Sequence, residues 1–426
     1  MRSRRTASLV ALVVAVLVPL TPVAAASQPD VSNAGWYANQ TPYGNPATAE
    51  TIAPPAGYDL VFLETVARHG SRTMVSDKTE DRVLTIWRSA RTKGKLTSRG
   101  RAFLADLRAF QRAERGLGYG NLSTMGKDEW RGIGRRTANS YADFFSGVVR
   151  AGDRVAMTTS PVHRTEQSAD AMETGLLGEV PGLEVAPHEV DPGLALSDGS
   201  TKAGRAALAT ILRRSSIRGA AKNVLLRLYT SSYVSRISDP VAAALDLYEL
   251  YQQAAGMRAD TDVTFAAYVP RADAKVLASA RDAQKFYRYG PGVKGQRGSF
   301  AQAEPILDDF FAQLHARLQG GRTAAVFRHA HGETTMPFAA LTRMPGSQEQ
   351  ATPATPYSYG NNAWRGYLSG RLAGNIEWSV FRDAGGSVLV TVRHNERPVR
   401  LSSACTPSTV GGGWFYRVAE LEACLG

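Results

Sequence analysis

Asp59-Leu60-Val61-Phe62-Leu63-Glu64-Thr65-Val66, followed by Ala67-Arg68-His69-Gly70-Ser71-Arg72-Thr73, is an apolar run that ends in a cluster of positive charge. The run is short and suits a buried strand. The charged cluster reads as a loop, because Gly70 permits a sharp turn or a close approach of the backbone to a ligand. Arg68 and Arg72 flank His69 there, and guanidinium forks match phosphate oxygens in bidentate geometry. A neutral imidazole between them can attack phosphorus. The same residues also fit a solvated basic loop, so this segment alone does not decide the chemistry.

The arrangement recurs twice. Arg154-Val155-Ala156-Met157-Thr158-Thr159 is a second strand-like run. Ser160-Pro161 after it reads as an N-cap and first helical position. Arg164 then falls in the first turn, where helix N–H groups favour an anion; His163 beside it reads as secondary or structural. Thr323-Ala324-Ala325-Val326-Phe327-Arg328 is a third run, leading into His329-Ala330-His331-Gly332-Glu333-Thr334-Thr335-Met336-Pro337. This too reads as a Thr/Pro helix start, with a histidine and a carboxylic acid at the junction. The acid of Glu333 is suited to protonating a leaving alkoxide.

A fourth run spans Ser387 to Arg393. Amphipathic helical patterns cover 97–115, 126–148, 202–255 with breaks, 271–289 and 301–319. Strands separated by helices predict an α/β fold with a mainly parallel sheet and flanking helices. The helix-rich segments at about 86–150 and 200–300 read as insertions that form an α-helical cap. In open α/β sheets, ligands bind beyond the carboxyl ends of the strands. The three junctions therefore converge on one site in this fold. No P-loop or dinucleotide fingerprint is present.

The N-terminus carries a different message. Arg2, Arg4 and Arg5 precede the apolar stretch Leu9 to Leu20, and Ala24-Ala25-Ala26 offers a small-residue cleavage site. Residues 1–26 thus read as a secretory signal peptide cut after Ala26. Arg4-Arg5 hints at a twin-arginine route, although Thr6-Ala7-Ser8 lacks the Phe-Leu that usually comes next. Residues 27–57, rich in Pro, Ala, Asn and Gly, read as an N-terminal arm ahead of a catalytic domain at 58–426. An exported chain meets an oxidising compartment, where the only two cysteines, Cys405 and Cys424, are expected to pair. The formal net charge of +12 points to an anionic partner or to simple solubility.

Arg68-His69-Gly70-Ser71-Arg72 matches the Arg-His-Gly-x-Arg motif of the histidine phosphatase superfamily, in its acid phosphatase branch. The wider pattern is similar to that of the multiple inositol polyphosphate phosphatases. Leu122-Ser123 with Gly126, Glu129 and Gly134 resembles one of their motifs. Ser160 to Arg164 with Ser168-Ala169 resembles a second, Asp282 with Tyr287-Arg288-Tyr289-Gly290 a third, and Asn395-Glu396-Arg397-Pro398 a fourth. The resemblance implies that His69 is the nucleophile and Glu333 the proton donor, with Arg68, Arg72, Arg164 and His331 holding the phosphate. It implies a phytase-like phosphomonoesterase; with the leader the expectation is a secreted one, in which the arginine cluster makes a metal or cofactor unnecessary, and which binds neither nucleic acid nor, after signal cleavage, a membrane. The family's His-Ala-Glu is His331-Gly332-Glu333 here, a change expected to loosen the loop. Thr73-Met74 also replaces the aromatic or proline residues often found after the first motif.

A polyphosphorylated ring needs more basic groups than the catalytic arginines. Lys285, Arg288 and Lys294 are the candidates for the substrate rim, with Lys93 and Lys95 behind them. Other substrates remain open, including sugar phosphates and a bisphosphoglycerate. Two other classes also remain. His329 and His331 alternate along a strand and would face one side as Zn²⁺ ligands, although the nearby arginines repel a cation. A non-enzymatic polyanion-binding protein would use the arginines but would need neither His69 nor Glu333.

Overall fold

The computed structural model describes residues 36–44 and 46–426; the expected leader, 1–26, lies outside them. The deciding run forms β1 (Tyr58–Arg68), in which every residue from Phe62 to Arg68 is buried. A strand buried on both faces lies inside a sheet covered on both sides. After it come α1 (Lys78–Thr92), α2 (Ser98–Leu117), α3 (Thr124–Ser140), α4 (Ala142–Ala151), β2 (Arg154–Thr159) and α5 (His163–Glu179). Two short strands come next, β3 (Glu184–Val185) and β4 (Glu189–Val190). A second helical run contains α6 (Lys202–Leu212), α7 (Ser215–Leu228), α8 (Ser231–Val234), α9 (Pro240–Ala255) and α10 (Arg271–Tyr289). The chain ends with α11 (Glu304–Leu318), β5 (Thr323–Ala330), α12 (Gly332–Leu341), α13 (Gly366–Ser369), β6 (Asn375–Asp383), β7 (Val388–His394), β8 (Arg397–Val399), β9 (Phe415–Arg417) and α14 (Val418–Leu425).

The nine strands form one sheet in the order β3-β2-β5-β1-β6-β7-β8, with β4 beside β2 and β9 beside β7. Its core is parallel: β2, β5 and β1 run together, as the α/β pattern predicts. The run at 387–393 joins antiparallel instead, through β6, which the apolar pattern alone does not reveal. Asp383 and Ser387 close the β6–β7 turn with two hydrogen bonds. So short a link permits only a hairpin.

Residues of β1 alternate between two cores. Phe62 and Val66 pack with Phe310 of α11, Phe338 of α12 and Trp378 of β6. Leu63 and Ala67 pack on the other face with Trp130 of α3, Phe145 of α4 and Met172 of α5. Of the segment expected as the first cap insertion, α1 and α2 join α7, α9 and α10 in a separate cluster. In contrast, α3 and α4 lie against the sheet. The pattern at 126–148 divides at Tyr141, whose hydroxyl donates to Glu377 of β6 at 2.7 Å. Of the expected arm, Ala38, Asn39, Thr41 and Tyr43 are buried. Tyr248 and Gln252 of α9 tie down the carbonyls of Trp36 and Tyr37.

Cys405 and Cys424 form a disulfide that ties α14 to the loop before β9. Closing a loop of this size is worth about 3 kcal/mol in the chain-entropy model.

The cap also buries two carboxyl groups against each other. Glu80 of α1 and Glu114 of α2 are both fully buried. Tyr119 donates to Glu80 at 2.5 Å and the Met74 amide to Glu114 at 2.6 Å. Burial, with Glu80 alongside, pushes Glu114 up to about 8, and Glu80 is raised as well. The pair therefore holds a proton that the unfolded chain releases near the ordinary carboxyl pKa. Stability from that proton is complete below the unfolded value and is lost as pH rises toward 8. Each pH unit in that window removes up to about 1.4 kcal/mol. Glu114→Gln should flatten the fall in urea midpoint between pH 5 and pH 8. An unchanged slope in the variant would show that the pair is not protonated in the folded protein.

Candidate active site

Strand register brings the three junctions together. Ala67 pairs with His329, and Thr159 pairs with the same residue from the other side. The ladder continues past the strand ends: the His69 amide donates to Ala330 O at 3.0 Å and the Ser160 amide to His329 O at 3.1 Å. His69, Ser160 and His331 thus leave the sheet side by side.

The loop after β1 is clamped by α3 and α5. A Cβ on Gly126 would lie 1.9 Å from Ser71 O, and one on Gly70 would lie 2.6 Å from Gly126 O. The close approach that Gly70 permits is therefore to helix backbone. Ser123 caps α3 by accepting from Gly126 N at 3.1 Å. Glu129 accepts from the Ser71 amide at 2.8 Å, from its hydroxyl at 3.0 Å and from Tyr43 N at 2.7 Å. Ser168 of α5 accepts from Gly70 N at 3.2 Å. The remote motif residues gain physical roles too. Glu396 pairs with Arg136 of α3 at 2.7 Å, and Asp282 of α10 accepts from Gly366 N at 3.0 Å.

His69 is buried, and its Nδ1 lies 2.9 Å from Gly70 O. A carbonyl only accepts, so Nδ1 carries the proton and Nε2 keeps its lone pair. Burial, reinforced by Arg164, Arg68 and Arg72, holds this imidazole well below its ordinary pKa. The ring is neutral in neutral and mildly acidic solution. His331 has its ring centroid 5.7 Å away. Its Nδ1 accepts from Arg164 at 3.2 Å, which leaves Nε2–H to donate to Ser160 Oγ at 2.8 Å. Burial and Arg164 push His331 down to about 4.

Three guanidinium groups surround these rings. Arg68 donates to the carbonyls of Asn39 and Gly370, and Arg72 to Thr73 O and Gln253. The Nε–H groups of Arg68, Arg72 and Arg164 are all buried and meet no protein acceptor. Unpartnered buried donors are costly. Burial pushes Arg68 down to about 9, with Arg72 and Arg164 acting in the same sense; burial and Arg72 push Arg164 down to about 10. All three stay charged at working pH, and an anion among them would relieve both costs.

Glu333 begins α12 and receives Lys285 Nζ at 2.7 Å. Burial opposes its charge, but Lys285 and Arg68 outweigh that and hold the carboxyl far below the usual range. Gly332 is buried in the first turn of α12, and a Cβ there would stand 3.2–3.3 Å from the Arg68 side chain, which would have to give by a few tenths of an ångström.

Several sequence expectations are corrected. Ser160 does not cap α5, which begins at His163; its hydroxyl is engaged by His331 and by Thr165. Pro337 lies inside α12 instead of at its start. His163 is exposed and pairs with Glu166. His329 is buried edge-on against Trp130 at 4.5 Å, while both nitrogens of His331 are engaged, so the two histidines do not form a metal-ligand pair. Among the described residues, no group of three or more His, Cys, Asp or Glu is placed to hold a metal ion. Of the rim candidates, Lys285 reaches the site, and Arg288 is held by Asp198 at 3.0 Å. Lys294 is exposed after α10, and Lys93 and Lys95 line a separate groove with Tyr233 and Arg236. Sequence reading missed Gln253, which supports Arg72 from both ends. The signal was a pair of adjacent glutamines, Gln252-Gln253, in a mostly apolar helix.

A family model described as the histidine phosphatase superfamily, branch 2, matches residues 59–358. The chain belongs to that superfamily. This histidine phosphatase is similar to the multiple inositol polyphosphate phosphatase of Bifidobacterium longum in complex with inositol hexasulfate. Identity is 27%, coverage is 92% of this chain and 97% of that one, and the TM-score is 0.86. The phosphate complex of the same enzyme matches at 26% identity, with the same coverage and a TM-score of 0.87. The phytase of D. castellii shares the fold, with a TM-score of 0.67 over 92% of this chain and 84% of that one at 11% identity. A comparison with curated proteins gave no significant match. The histidine phosphatase is a phosphomonoesterase, which sets aside the non-enzymatic polyanion binder.

Proposed function

We propose that this phosphatase is exported and removes phosphate from inositol polyphosphates through a phosphohistidine at His69. The observation that carries the reading is the trio of buried, unpartnered Nε–H groups on Arg68, Arg72 and Arg164 around an imidazole with a free Nε2. Nε2 attacks phosphorus as the P–O bond to the alcohol breaks, and Glu333 supplies the proton to the departing oxygen. The arginines balance the charge on the equatorial oxygens. Water then attacks phosphorus, the P–N bond breaks, and Glu333 takes the proton from that water. The arginines hold the phosphoryl group through both steps, and His331 joins them by turning its Nε2–H from Ser160 to a phosphoryl oxygen. The leader at 1–26 and the disulfide support export. No helix among the described residues is long and apolar enough to cross a membrane.

The test is phosphate release by the mature protein, without added metal, from phytate, a sugar monophosphate and a bisphosphoglycerate. Phytate should give the highest kcat/KM. Its rate should fall steeply with added salt, because several substrate charges are screened at once, whereas p-nitrophenyl phosphate should weaken little. Preference for the sugar monophosphate, or equal salt sensitivity for both esters, would refute the polyphosphate reading.

A further inference from the structure

The acid of the site is held in the wrong state for its task. Glu333 faces Lys285 and Tyr289 from α10, Arg68 from β1, Arg72 from the next loop, Arg164 from α5 and the adjoining His331. Of these, only Lys285 makes a direct ion pair with it, at 2.7 Å. An ammonium in contact keeps a carboxylate ionised, and an ionised carboxylate cannot protonate a leaving group. The lysine is also the mobile member of the set. Arg68 is anchored on two carbonyls, whereas Lys285 is a point charge on a flexible stem, with its side chain partly exposed. Its Nζ lies 5.1 Å from the centroid of the Tyr289 ring, which Arg288 also flanks at 5.3 Å. The ammonium is thus held by the Tyr289 ring face as well as by Glu333.

Resting on the assignment of Glu333 as proton donor, we infer that Lys285 is a specificity-determining latch that frees Glu333 when the substrate carries a second phosphate beside the scissile one. The neighbouring phosphate takes the ammonium. Glu333 then takes a proton from acidic solvent and passes it to the alkoxide as the P–O bond breaks. A substrate with one phosphate leaves the pair closed and is cleaved without effective proton donation. Preference for polyphosphates then arises in the chemical step as well as in binding.

The experiment is single-turnover release of the alcohol, at saturating enzyme, from an inositol monophosphate and its vicinal bisphosphate across pH 3–8. In the wild type, the monophosphate rate should begin to fall at least about one pH unit below the bisphosphate rate, which is about tenfold at intermediate pH. Lys285→Met should move the monophosphate limb up to meet the other, while the bisphosphate binds more weakly. Lys285→Arg should restore the offset. Coincident limbs in the wild type, or a monophosphate limb that Lys285→Met does not move, would overturn the latch. Glu333→Gln separates the two ideas. If it abolishes both limbs while Lys285→Met moves neither, the latch alone fails; if both limbs survive it, the donor assignment fails and the latch with it.

Discussion

His69→Ala should lower phosphate release by about four orders of magnitude or more, in line with the removal of other covalent nucleophiles. No neighbour is placed to replace it. His331 is the other imidazole within reach, but its Nδ1 accepts from Arg164 and its Nε2–H donates to Ser160. The variant should keep its fold, since the one hydrogen bond lost is to Gly70 O, worth about 1 kcal/mol. Because a P–N bond survives base and not acid, an alkaline quench of wild type with labelled substrate should trap phosphoprotein. The variant should trap none. Turnover that persists in a folded His69→Ala protein would sink the nucleophile assignment.

Glu333→Gln should divide substrates by their leaving group. An inositol alkoxide needs a proton as it departs, and general acid help is worth typically about 10²–10⁴-fold. p-Nitrophenolate departs without it. The variant should therefore lose about that factor on phytate and little on p-nitrophenyl phosphate at mildly acidic pH. Inhibition by inorganic phosphate should persist, because Arg68, Arg72 and Arg164 are untouched. Equal losses on both substrates would mean that another acid protonates the leaving oxygen.

Much of the fold and the site is legible in the chain because the chemistry sits where local patterns change. The apolar run before Arg68 suits a buried strand, and three such runs end in groups suited to phosphate. The parallel order of β2, β5 and β1 agrees with the helices between them. β6 is less visible because a hairpin and a crossover look alike until the length of the connection is known. Ser160 misleads for a tertiary reason: the hydroxyl that would cap a helix locally is claimed by His331, 171 positions away. The clamp on the loop after β1 is present as Ser123, Gly126 and Glu129, but nothing local says that a helix backbone will touch Ser71. Lys285 reads in the sequence as a rim candidate, while its pairing with Glu333 depends on how α10 docks against α12.

The contact between Gly70 and Gly126 also sets where this enzyme can evolve. Neither position admits even a methyl group without moving backbone, since the intruding Cβ would meet carbonyl oxygens at 2.6 Å and 1.9 Å. Neither can change without shifting backbone, so the two glycines together fix the path of the loop that carries His69. The mouth is unconstrained in this way, because Lys285 and Arg288 end in side-chain contacts that can be exchanged one at a time. Selection for a new phosphorylated substrate, in nature or in a mutant library, should therefore accumulate its changes on α10 and leave the loop beneath it untouched.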